Sequence, residues 1–211
     1  MLEWVIDAAR ESAGYISRPN TSRHINANVY LLIPAGDKIK DEPAFNKKAQ
    51  IIEGSEFDVL SRYKSLLDVS GADYVIRITG DCPLIPAPVI TKALNVAMIN
   101  RFDYVSNVDE RLRLSFDGMD CEIMSARLLK YINEHAWTSS DREHVTTFVR
   151  SKDCPKNFSS AHIVGYLDLS SLKLSVDTEE DLENVRKQKS RVLEALRLSR
   201  EISGIQATHR F

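Results

Sequence analysis

The stretch Tyr74-Val75-Ile76-Arg77-Ile78-Thr79-Gly80-Asp81-Cys82-Pro83-Leu84-Ile85 is the most informative part of this 211-residue chain. An apolar, β-branched run ends abruptly in Thr-Gly-Asp, and a proline-bounded segment follows. Ligands of open α/β sheets bind at the carboxyl ends of the parallel strands. A carboxylate there, beside a glycine that lets a phosphate approach the backbone, is well placed to hold a divalent metal on a nucleotide. Glycine and aspartate are also common turn residues, so an ordinary strand and turn explain the segment equally well.

The size and composition are those of an ordinary soluble protein with one domain, residues 1–211. A net charge of −2 and the lack of a basic stripe argue against nucleic acid as a partner. No apolar run approaches the roughly 18 residues of a membrane span, and the first residues lack the pattern of a secretory signal. The three cysteines are widely spaced and indicate neither a disulfide framework nor a metal site. We therefore expect a cytoplasmic protein.

Segments of strand character alternate with segments of helix character along the chain. Apolar or alternating runs predict strands at 27–33, 50–54, 73–78, 102–106, 119–124, 162–166 and 173–176. Helical periodicity predicts helices at 1–10, 43–48, 56–70, 88–100, 126–135, 142–150 and 179–202. This alternation predicts an α/β fold in which helices cover both faces of a mainly parallel sheet, in three layers.

Individual residues define the predicted helix ends. The predicted N-caps of the helices at 56–70, 126–135 and 142–150 are Ser55, Ser125 and Asp141. Gly71 is expected to end the first of these helices. Thr178 and Asp181 form a capping box that opens the long C-terminal helix.

A second acidic residue, Asp177, follows the predicted strand at 173–176. Two aspartates at strand ends that reach one crevice would make an oxygen-rich site for Mg²⁺, which prefers a couple of carboxylates together with substrate phosphates. Asp81 and Asp177 are the predicted pair. Taken alone, Asp177 is explained better by helix capping, because Glu179, Glu180 and Asp181 accompany it at the same helix N-terminus.

Two further groups of polar residues are candidates for the site. Arg142 and His144 follow the predicted N-cap Asp141, and an arginine in the first turn of a helix favours a carboxylate or phosphate ligand. A solvated first turn is the alternative. Asp120 and Glu122 share one face of a predicted half-buried strand, for which the solvated face of an edge strand is the alternative.

Five motifs occur in this chain in the order seen in a known family. They are Arg77-Ile78-Thr79-Gly80-Asp81-Cys82-Pro83-Leu84-Ile85, Tyr104-Val105-Ser106-Asn107, Asp117-Gly118-Met119-Asp120-Cys121-Glu122, Arg142-Glu143-His144-Val145-Thr146 and Ser175-Val176-Asp177-Thr178-Glu179-Glu180-Asp181-Leu182. On these motifs the chain resembles the spore coat polysaccharide biosynthesis protein F family, which is similar to the CMP-Kdo and CMP-sialate synthetases. The resemblance also includes residues 54–63 and covers nearly the whole chain to about residue 190.

The resemblance implies a Rossmann-like fold of the glycosyltransferase-A, or nucleotide-diphospho-sugar transferase, type and a cytidylyltransferase reaction. In that reaction a sugar hydroxyl attacks the α-phosphate of CTP, which releases pyrophosphate and leaves a CMP-sugar for surface polysaccharide biosynthesis. The implied roles are Mg²⁺ binding by Asp81 and Asp177, catalysis by both with Arg142, nucleotide binding by Arg77, Thr79, Gly80, Ser55 and Arg62, and sugar binding by Asp120, Glu122, Arg142 and His144. Phosphoryl transfer depends mostly on positioning and on neutralisation of charge, which metal and arginine supply.

One departure from the family pattern is large. Family members open with a strand and a loop of pattern Q-A-R-x-x-S-x-R-L-P-G-K, whereas this chain begins where the following helix normally starts, at Met1-Leu2-Glu3-Trp4. Residues 12–28 include basic side chains but lack the glycine–lysine ending, and we expect a loop there. Loss of the family loop would remove the triphosphate cradle, and loss of the strand would expose apolar edges of the sheet.

Three hypotheses of function follow. The first is a cytidylyltransferase whose recorded start lies downstream of the true one. The second is a non-enzyme subunit, catalytically dead or dependent on a partner, that keeps the fold. The third is a glycosyltransferase that uses a sugar nucleotide on the same fold. The sequence does not identify the sugar. It also does not show whether the chain forms a homodimer, as the related synthetases often do.

Overall fold

The computed structural model of the chain describes residues 1–17, 25–108, 117–164, 172–202 and 206–209. Its helices are α1 (Leu2–Ile16), α2 (Pro43–Asn46), α3 (Val59–Ser70), α4 (Ala87–Asn100), α5 (Ala126–His135), α6 (Ser139–His144), α7 (Thr147–Arg150) and α8 (Glu179–Ile202), and a 3₁₀ helix lies at Lys38–Asp41. Its strands are β1 (Tyr30–Pro34), β2 (Gln50–Gly54), β3 (Tyr74–Arg77), β4 (Tyr104–Ser106), β5 (Glu122–Ser125), β6 (Ser160–Val164) and β7 (Gln206–His209). None of the helices in these ranges combines the length and the hydropathy that crossing a membrane requires.

The strands form two sheets. β1 and β2 pair in parallel as one sheet, and the other holds five strands in the order β3-β5-β4-β6-β7. β4 and β6 are parallel, whereas β5 is antiparallel to both of its neighbours and β7 is antiparallel to β6. The α/β class is confirmed, but the pairing is more mixed than the alternation of strands and helices indicates. The reason is that no described helix separates β4 from β5, so that β5 returns directly beside β4.

Helices cover both faces of the five-stranded sheet. One buried cluster joins α1, α4 and α8 to one face and includes Ile90, Leu94 and Ile123. The other joins α3 and α5 to the opposite face and includes Leu60, Met124, Leu128, Leu129 and Ile132. Successive residues of β5 therefore point into different clusters, and both Ile123 and Met124 are fully buried. This is the predicted three-layer arrangement.

The helix ends agree with the sequence in most places. Ser125 accepts the Leu128 N–H as the N-cap of α5, and Gly71 ends α3 in the left-handed conformation, at φ 59°. The predicted cap of α3 was wrong, because the side chain of Asp58, not Ser55, accepts the Ser61 N–H at 3.0 Å. α1 runs to Ile16, into the range expected to be a loop, and residues 18–24 of that range lie outside the described residues.

The predicted helix at 142–150 is two short helices in the structure. α6 begins earlier, with Thr138 as its N-cap, and it ends at Val145, which has a φ of 64°. A β-branched residue with positive φ is strained, and full burial of the Val145 side chain in the α3–α5 cluster compensates for that strain. The prediction that Arg142 and His144 lie in a first helical turn is therefore wrong, since both lie in the last turn of α6.

Several strand boundaries also differ from the predicted ones. β1 starts at Tyr30, and residues 173–176 form a parallel bridge from Lys173 to Asp117 instead of a strand. β6 covers Ser160–Val164, and the end of the predicted strand at 165–166 lies outside the described residues. β7, which pairs with β6 after the long helix α8, is not predicted by its sequence pattern.

A buried carboxylate, Asp103, ties β4 to the layers around it. Arg127 donates to both of its oxygens, at 3.2 and 2.5 Å, and the Ser125 hydroxyl and the Ser159 N–H donate at 2.9 and 3.0 Å. Burial by itself would raise the pKa of Asp103, but Arg127 and the other donors outweigh it and hold the pKa below its usual range. Asp103 therefore joins β4, the start of α5 and the start of β6.

We expect Asp103→Asn to lower the free energy of unfolding by about 1–3 kcal/mol at pH 7, because charge-assisted hydrogen bonds become neutral ones. The carboxyl has a lower pKa in the folded state than in the unfolded state, where it is about 3.9. Its contribution is thus complete above pH 5 and disappears as the pH falls through the folded pKa. Urea unfolding of both chains at pH 7 and near pH 3 measures this effect. The difference in free energy of unfolding between the two chains should be smaller at pH 3 than at pH 7.

Asp68→Asn, which alters an exposed pair with Lys64, is the control and should change stability by less than about 0.5 kcal/mol. Equal stability of Asp103→Asn and the natural chain at pH 7 would contradict the assignment.

Candidate functional site

Three chain segments meet at the carboxyl end of β3. They are residues 79–82, 117–122 and 172–177. The Val176 N–H donates to the Asp81 carbonyl at 3.0 Å, and Asp117 exchanges two backbone hydrogen bonds with residues 172 and 174. Asp177 is thus one residue from a direct backbone contact with Asp81. The two aspartates that were predicted as a pair lie on neighbouring segments, although they are 96 positions apart in the sequence.

Gly118 makes the approach of two of these segments possible. Its φ is 101°, and a Cβ at this position would lie 2.6 Å from the Leu174 carbonyl oxygen. A side chain is therefore excluded on both conformational and steric grounds. The Ser175 hydroxyl donates to the Asp117 carboxylate at 2.8 Å and reinforces the same contact. The main chain of this edge is fixed mostly by its own hydrogen bonds.

Asp177 does not cap α8. The capping box is formed as predicted, with the Thr178 N–H donating to Asp181 and the Asp181 N–H donating to Thr178. The Asp177 carboxylate instead pairs with Lys173 at 2.9 Å and is 60% exposed. An exposed carboxylate that is not needed for the helix is available for a ligand.

The carboxylates at this edge are oxygen donors of the kind that divalent metals use. Asp81 and Asp177 offer hard oxygen donors from adjacent segments, and the backbone of Asp120 lies beside the Cys82 thiol in the same region. Within the described ranges, no three His, Cys, Asp or Glu side chains form a group that could hold a metal by themselves. Mg²⁺ commonly uses one or two carboxylates and takes its other ligands from phosphates and water. The described side chains therefore do not form a closed protein cage for a metal.

Cys82 packs as a small apolar residue in this region. Its sulfur lies 3.1 Å from the Thr79 hydroxyl, and the side chain is buried. Burial raises the pKa of the Cys82 thiol to about 12, so the thiol is protonated at neutral pH. Nucleophilic chemistry needs the thiolate, and Cys82 consequently has a structural role.

A buried charge cluster lies beside the acidic edge. Glu122 is 1% exposed, and its carboxylate accepts from Arg77 at 2.6 Å and from the Tyr104 hydroxyl at 2.5 Å. Arg150 approaches the same carboxylate at 3.6 Å. Two guanidinium groups thus share one carboxylate, and the cluster has a net positive charge.

The environment of Glu122 excludes the alternative of a solvated edge-strand face for this residue. β5 is sandwiched between β3 and β4 and buried on both sides, so a carboxylate at its first residue lies inside the protein. Burial by itself would lower the pKa of the Arg77 guanidinium, but Tyr63 and the charge of Glu122 raise it. Burial, together with the same charge, raises the pKa of the Tyr104 hydroxyl. Arg77 remains charged and Tyr104 remains a hydrogen-bond donor.

A second polar group surrounds Asp58 at the start of α3. Arg142 donates to both oxygens of Asp58, at 2.9 and 2.7 Å, and also to the Asn133 carbonyl at 2.9 Å. Burial by itself would raise the pKa of Asp58, but Arg142 and the Ser61 N–H outweigh it and lower the pKa. The Ser55 hydroxyl accepts the Asp58 N–H at 3.0 Å. Sequence reasoning missed Asp58, although its place directly before the apolar face of α3 is typical of an N-cap.

Arg62 connects this second group to β1. Its guanidinium is buried and donates to the Leu32 carbonyl at 3.0 Å and to the Glu56 carbonyl at 3.4 Å. Burial lowers the pKa of Arg62. The buried Tyr63 side chain interacts electrostatically with Arg62, Arg77 and Glu122, so the two polar groups are neighbours.

The predicted site residues therefore fall into two adjacent sets. The first set, at the end of β3, is Arg77, Thr79, Gly80, Asp81, Asp120, Glu122 and Asp177. The second, at the start of α3, is Ser55, Arg62 and Arg142. His144 is exposed at the end of α6, on the same short helix as Arg142.

Curated relatives have been found by sequence, although no family model matches the chain. An uncharacterized protein of Methanocaldococcus jannaschii is 31% identical over 133 residues, which are 62% of this chain and 52% of that protein. The spore coat polysaccharide biosynthesis protein SpsF of Bacillus subtilis is 24% identical over 161 residues, which are 74% of this chain and 65% of SpsF. The chain thus spans between half and two thirds of the length of these relatives.

Solved structures have the same fold. A cytidylyltransferase from Leptospira borgpetersenii superposes with a TM-score of 0.71 at 23% identity, over 87% of this chain and 76% of that one. The CMP:2-keto-3-deoxy-manno-octonic acid synthetase complexed with CTP superposes with a TM-score of 0.59 at 13% identity, over 90% and 87% of the two chains. The chain therefore has the nucleotide-diphospho-sugar transferase fold, and its predicted resemblance to spore coat polysaccharide biosynthesis protein F and to the cytidylyltransferases is confirmed.

Proposed function

We propose that this chain is a cytidylyltransferase-like protein that transfers CMP from CTP to a sugar for surface polysaccharide biosynthesis. The observation that carries the proposal is the hydrogen bond between Val176 and Asp81, since it brings two acidic residues to one edge of the sheet. The relatives support the same class, because one acts in polysaccharide biosynthesis and the superposed structures are CMP-transferring enzymes. We further propose one cytoplasmic domain, residues 1–211.

In the proposed site Asp81 and Asp177 hold Mg²⁺ together with the phosphates of CTP. The metal would supply charge neutralisation at the α-phosphate and the leaving pyrophosphate. Thr79 and Gly80 line the nucleotide site beside Asp81, and the exposed backbone of Gly80 admits a phosphate closely. The pairing of Asp177 with Lys173 is at the surface and is weak enough to be exchanged for a metal.

Arg77 supplies positive charge to the nucleotide from a fixed position. Its ion pair with Glu122 holds the guanidinium in one orientation, and Arg150 adds a second positive group to that carboxylate. A preorganised charge needs little rearrangement when the phosphoryl group develops negative charge. Asp120 faces the sugar from this side in the proposed site, whereas the buried Glu122 acts there through the Arg77 that it holds.

Ser55, Arg62, Arg142 and His144 form the opposite side of the proposed site. Arg142 is held by both oxygens of Asp58, so its role toward a sugar or phosphate is positional as well as electrostatic. The same ion pair fixes the start of α3 relative to α6. Ser55 remains exposed beside it and is free to meet the nucleotide.

CTP binding should depend on Mg²⁺ and on Asp81. We expect Asp81→Ala to weaken binding of CTP with Mg²⁺ at least tenfold, because one of two carboxylate ligands is lost. Isothermal calorimetry with and without the metal measures this. Asp41→Ala, which removes an exposed carboxylate from the 3₁₀ helix, is the matched control and should bind like the natural chain. Binding of equal strength without metal, or in Asp81→Ala, would overturn the metal assignment.

The reaction itself predicts that pyrophosphate is released only when CTP and the correct sugar are both present. Arg77→Lys should lower kcat/KM at least tenfold, because an ammonium cannot reproduce the planar guanidinium held by Glu122. A coupled pyrophosphate assay across a panel of sugars measures both effects, with the exposed Arg186→Lys as control. Transfer from a preformed sugar nucleotide without pyrophosphate would identify a glycosyltransferase instead. Binding of CTP with no reaction for any sugar would identify a non-catalytic subunit.

A further inference from the structure

The buried Glu122 carboxylate meets two arginines at different distances. Arg77 donates to its Oε2 at 2.6 Å, whereas Arg150 lies 3.6 Å from its Oε1. The Tyr104 hydroxyl donates to that same Oε1 at 2.5 Å. A separation of 3.6 Å is an ion pair but is too long for a hydrogen bond. The carboxylate therefore holds Arg77 by a hydrogen bond and Arg150 by charge alone, although both guanidinium groups carry the same charge.

Strand register brings the Tyr104 hydroxyl to this carboxylate. Glu122 lies opposite Ser106 of β4, and Tyr104 lies opposite Met124, two residues further along β5. Tyr104 and Glu122 are therefore diagonal neighbours on one face of the sheet, a separation that an aromatic side chain spans. The ring of Tyr104 is buried in the α3–α5 cluster. A phenylalanine ring would fill the same space, so packing alone does not explain the hydroxyl.

The hydroxyl fixes the orientation of the carboxylate. The terminal torsion of a glutamate side chain is broad, so a carboxylate with one oxygen unheld rotates easily. In Glu122 Arg77 holds one oxygen and Tyr104 holds the other, which directs the carboxylate toward β3. Burial raises the pKa of the Tyr104 hydroxyl, so the hydroxyl keeps its proton and stays a donor at neutral pH. Tyr104 thus supplies an oriented donor that adds no charge to the cluster.

Arg150 is the group whose contacts this arrangement limits. It is the last residue of α7, and its side chain is 38% exposed, against 16% for Arg77. Without the Tyr104 hydroxyl, Oε1 of Glu122 would be a buried acceptor that lacks a hydrogen-bond donor, which is costly. Arg150 is the cation beside that oxygen, and a charge-assisted hydrogen bond from it would relieve the cost. The hydroxyl therefore keeps Arg150 from closing onto Glu122.

We propose that Tyr104 is a positioning residue, which gives the two arginines different roles by holding Oε1 of Glu122. Arg77 is thereby fixed in one orientation, and Arg150 stays partly exposed and able to meet an anionic group of a ligand. The effect of Tyr104 on catalysis rests on the proposed function. Its effect on the two guanidinium groups does not, because that effect follows from the contacts of Glu122 alone.

The test is Tyr104→Phe, with Tyr74→Phe as the matched control. Tyr74 lies in the same sheet, at the opposite end of β3 from Arg77, and its hydroxyl donates to the Ala97 carbonyl. Both substitutions remove one hydroxyl and keep the ring. NMR on chains with isotope-labelled arginine measures the rotation rate of each guanidinium group. The pyrophosphate assay measures kcat and KM.

We expect Tyr104→Phe to speed rotation of the Arg77 guanidinium at least threefold and to slow that of Arg150, because Arg150 moves onto the vacated oxygen. kcat should fall at least tenfold while the KM for CTP changes less than about threefold, since a preorganised charge acts mainly in the transition state. Tyr74→Phe should change each quantity less than about twofold. A purely structural role of Tyr104 would loosen both arginines together. That result, or unchanged rotation of both, would overturn the proposal.

A second variant, Arg150→Gln, tests the same arrangement while keeping the Tyr104 hydroxyl. Arg77 should rotate as slowly as in the natural chain, because both oxygens of Glu122 keep their hydrogen-bond donors. Faster rotation of Arg77 would show that Arg150 holds the carboxylate and would overturn the role of Tyr104. A natural chain that releases no pyrophosphate with any sugar would overturn the proposed function instead, and the arginine rotation rates would still decide the role of Tyr104.

Discussion

The carboxylate of Glu122, buried where β3, β4 and β5 meet, is the constraint on which the centre of the molecule depends. A buried ion costs several kcal/mol unless it is paired and hydrogen-bonded. Arg77 from β3 and Tyr104 from β4 satisfy its two oxygens, and each comes from a strand that is antiparallel to β5. The pairing of charges therefore agrees with the strand register, in which Glu122 lies opposite Arg77. A shift of register by one residue would separate the ion pair and move Ile123 and Met124 to the wrong faces.

The neighbouring edge of the sheet is held in a different way. There the main chain does most of the positioning, through the Val176–Asp81 hydrogen bond and the close packing that Gly118 permits. Asp81 and Asp177 are thereby placed on adjacent segments without their carboxylates serving as structural links. Asp177 is exposed, and its partner Lys173 is a surface group. A site built in this way keeps its charged groups available for a ligand while its backbone stays fixed.

The two halves of the candidate site belong to different sheets. The set around Asp81 belongs to the five-stranded sheet, whereas the set around Asp58 is attached to β1 and β2 through Arg62. Arg142 and the neighbourhood of Tyr63 are the links between these halves in the described residues. The superposition with the solved structures covers 87–90% of the chain and so includes both sheets.

Much of the fold can be predicted from local patterns. The helices at 126–135 and 179–202, the strand at 50–54 and the stop at Gly71 follow from apolar periodicity and capping chemistry, which involve residues close in sequence. The break of the helix at Val145 cannot be predicted in this way, because the burial of that side chain against α3 and α5 stabilises a backbone that its own sequence disfavours. The same is true of β7, whose pairing with β6 depends on a partner more than 40 residues away.

For the site, the sequence by itself determined which residue types are present and which of them end strands: Asp81, Asp177 and the polar residues at 120 and 122. Tertiary structure decided which of these meet. It paired Arg77 with Glu122, placed Asp58 against Arg142 and left Asp177 free of the helix cap. The physical reason is that the two kinds of interaction act over different distances along the sequence. Periodicity and capping act over a few residues, whereas the pairing of buried charges and the order of strands are settled by contacts between segments distant in the chain, where the cost of an unpaired buried charge selects one arrangement.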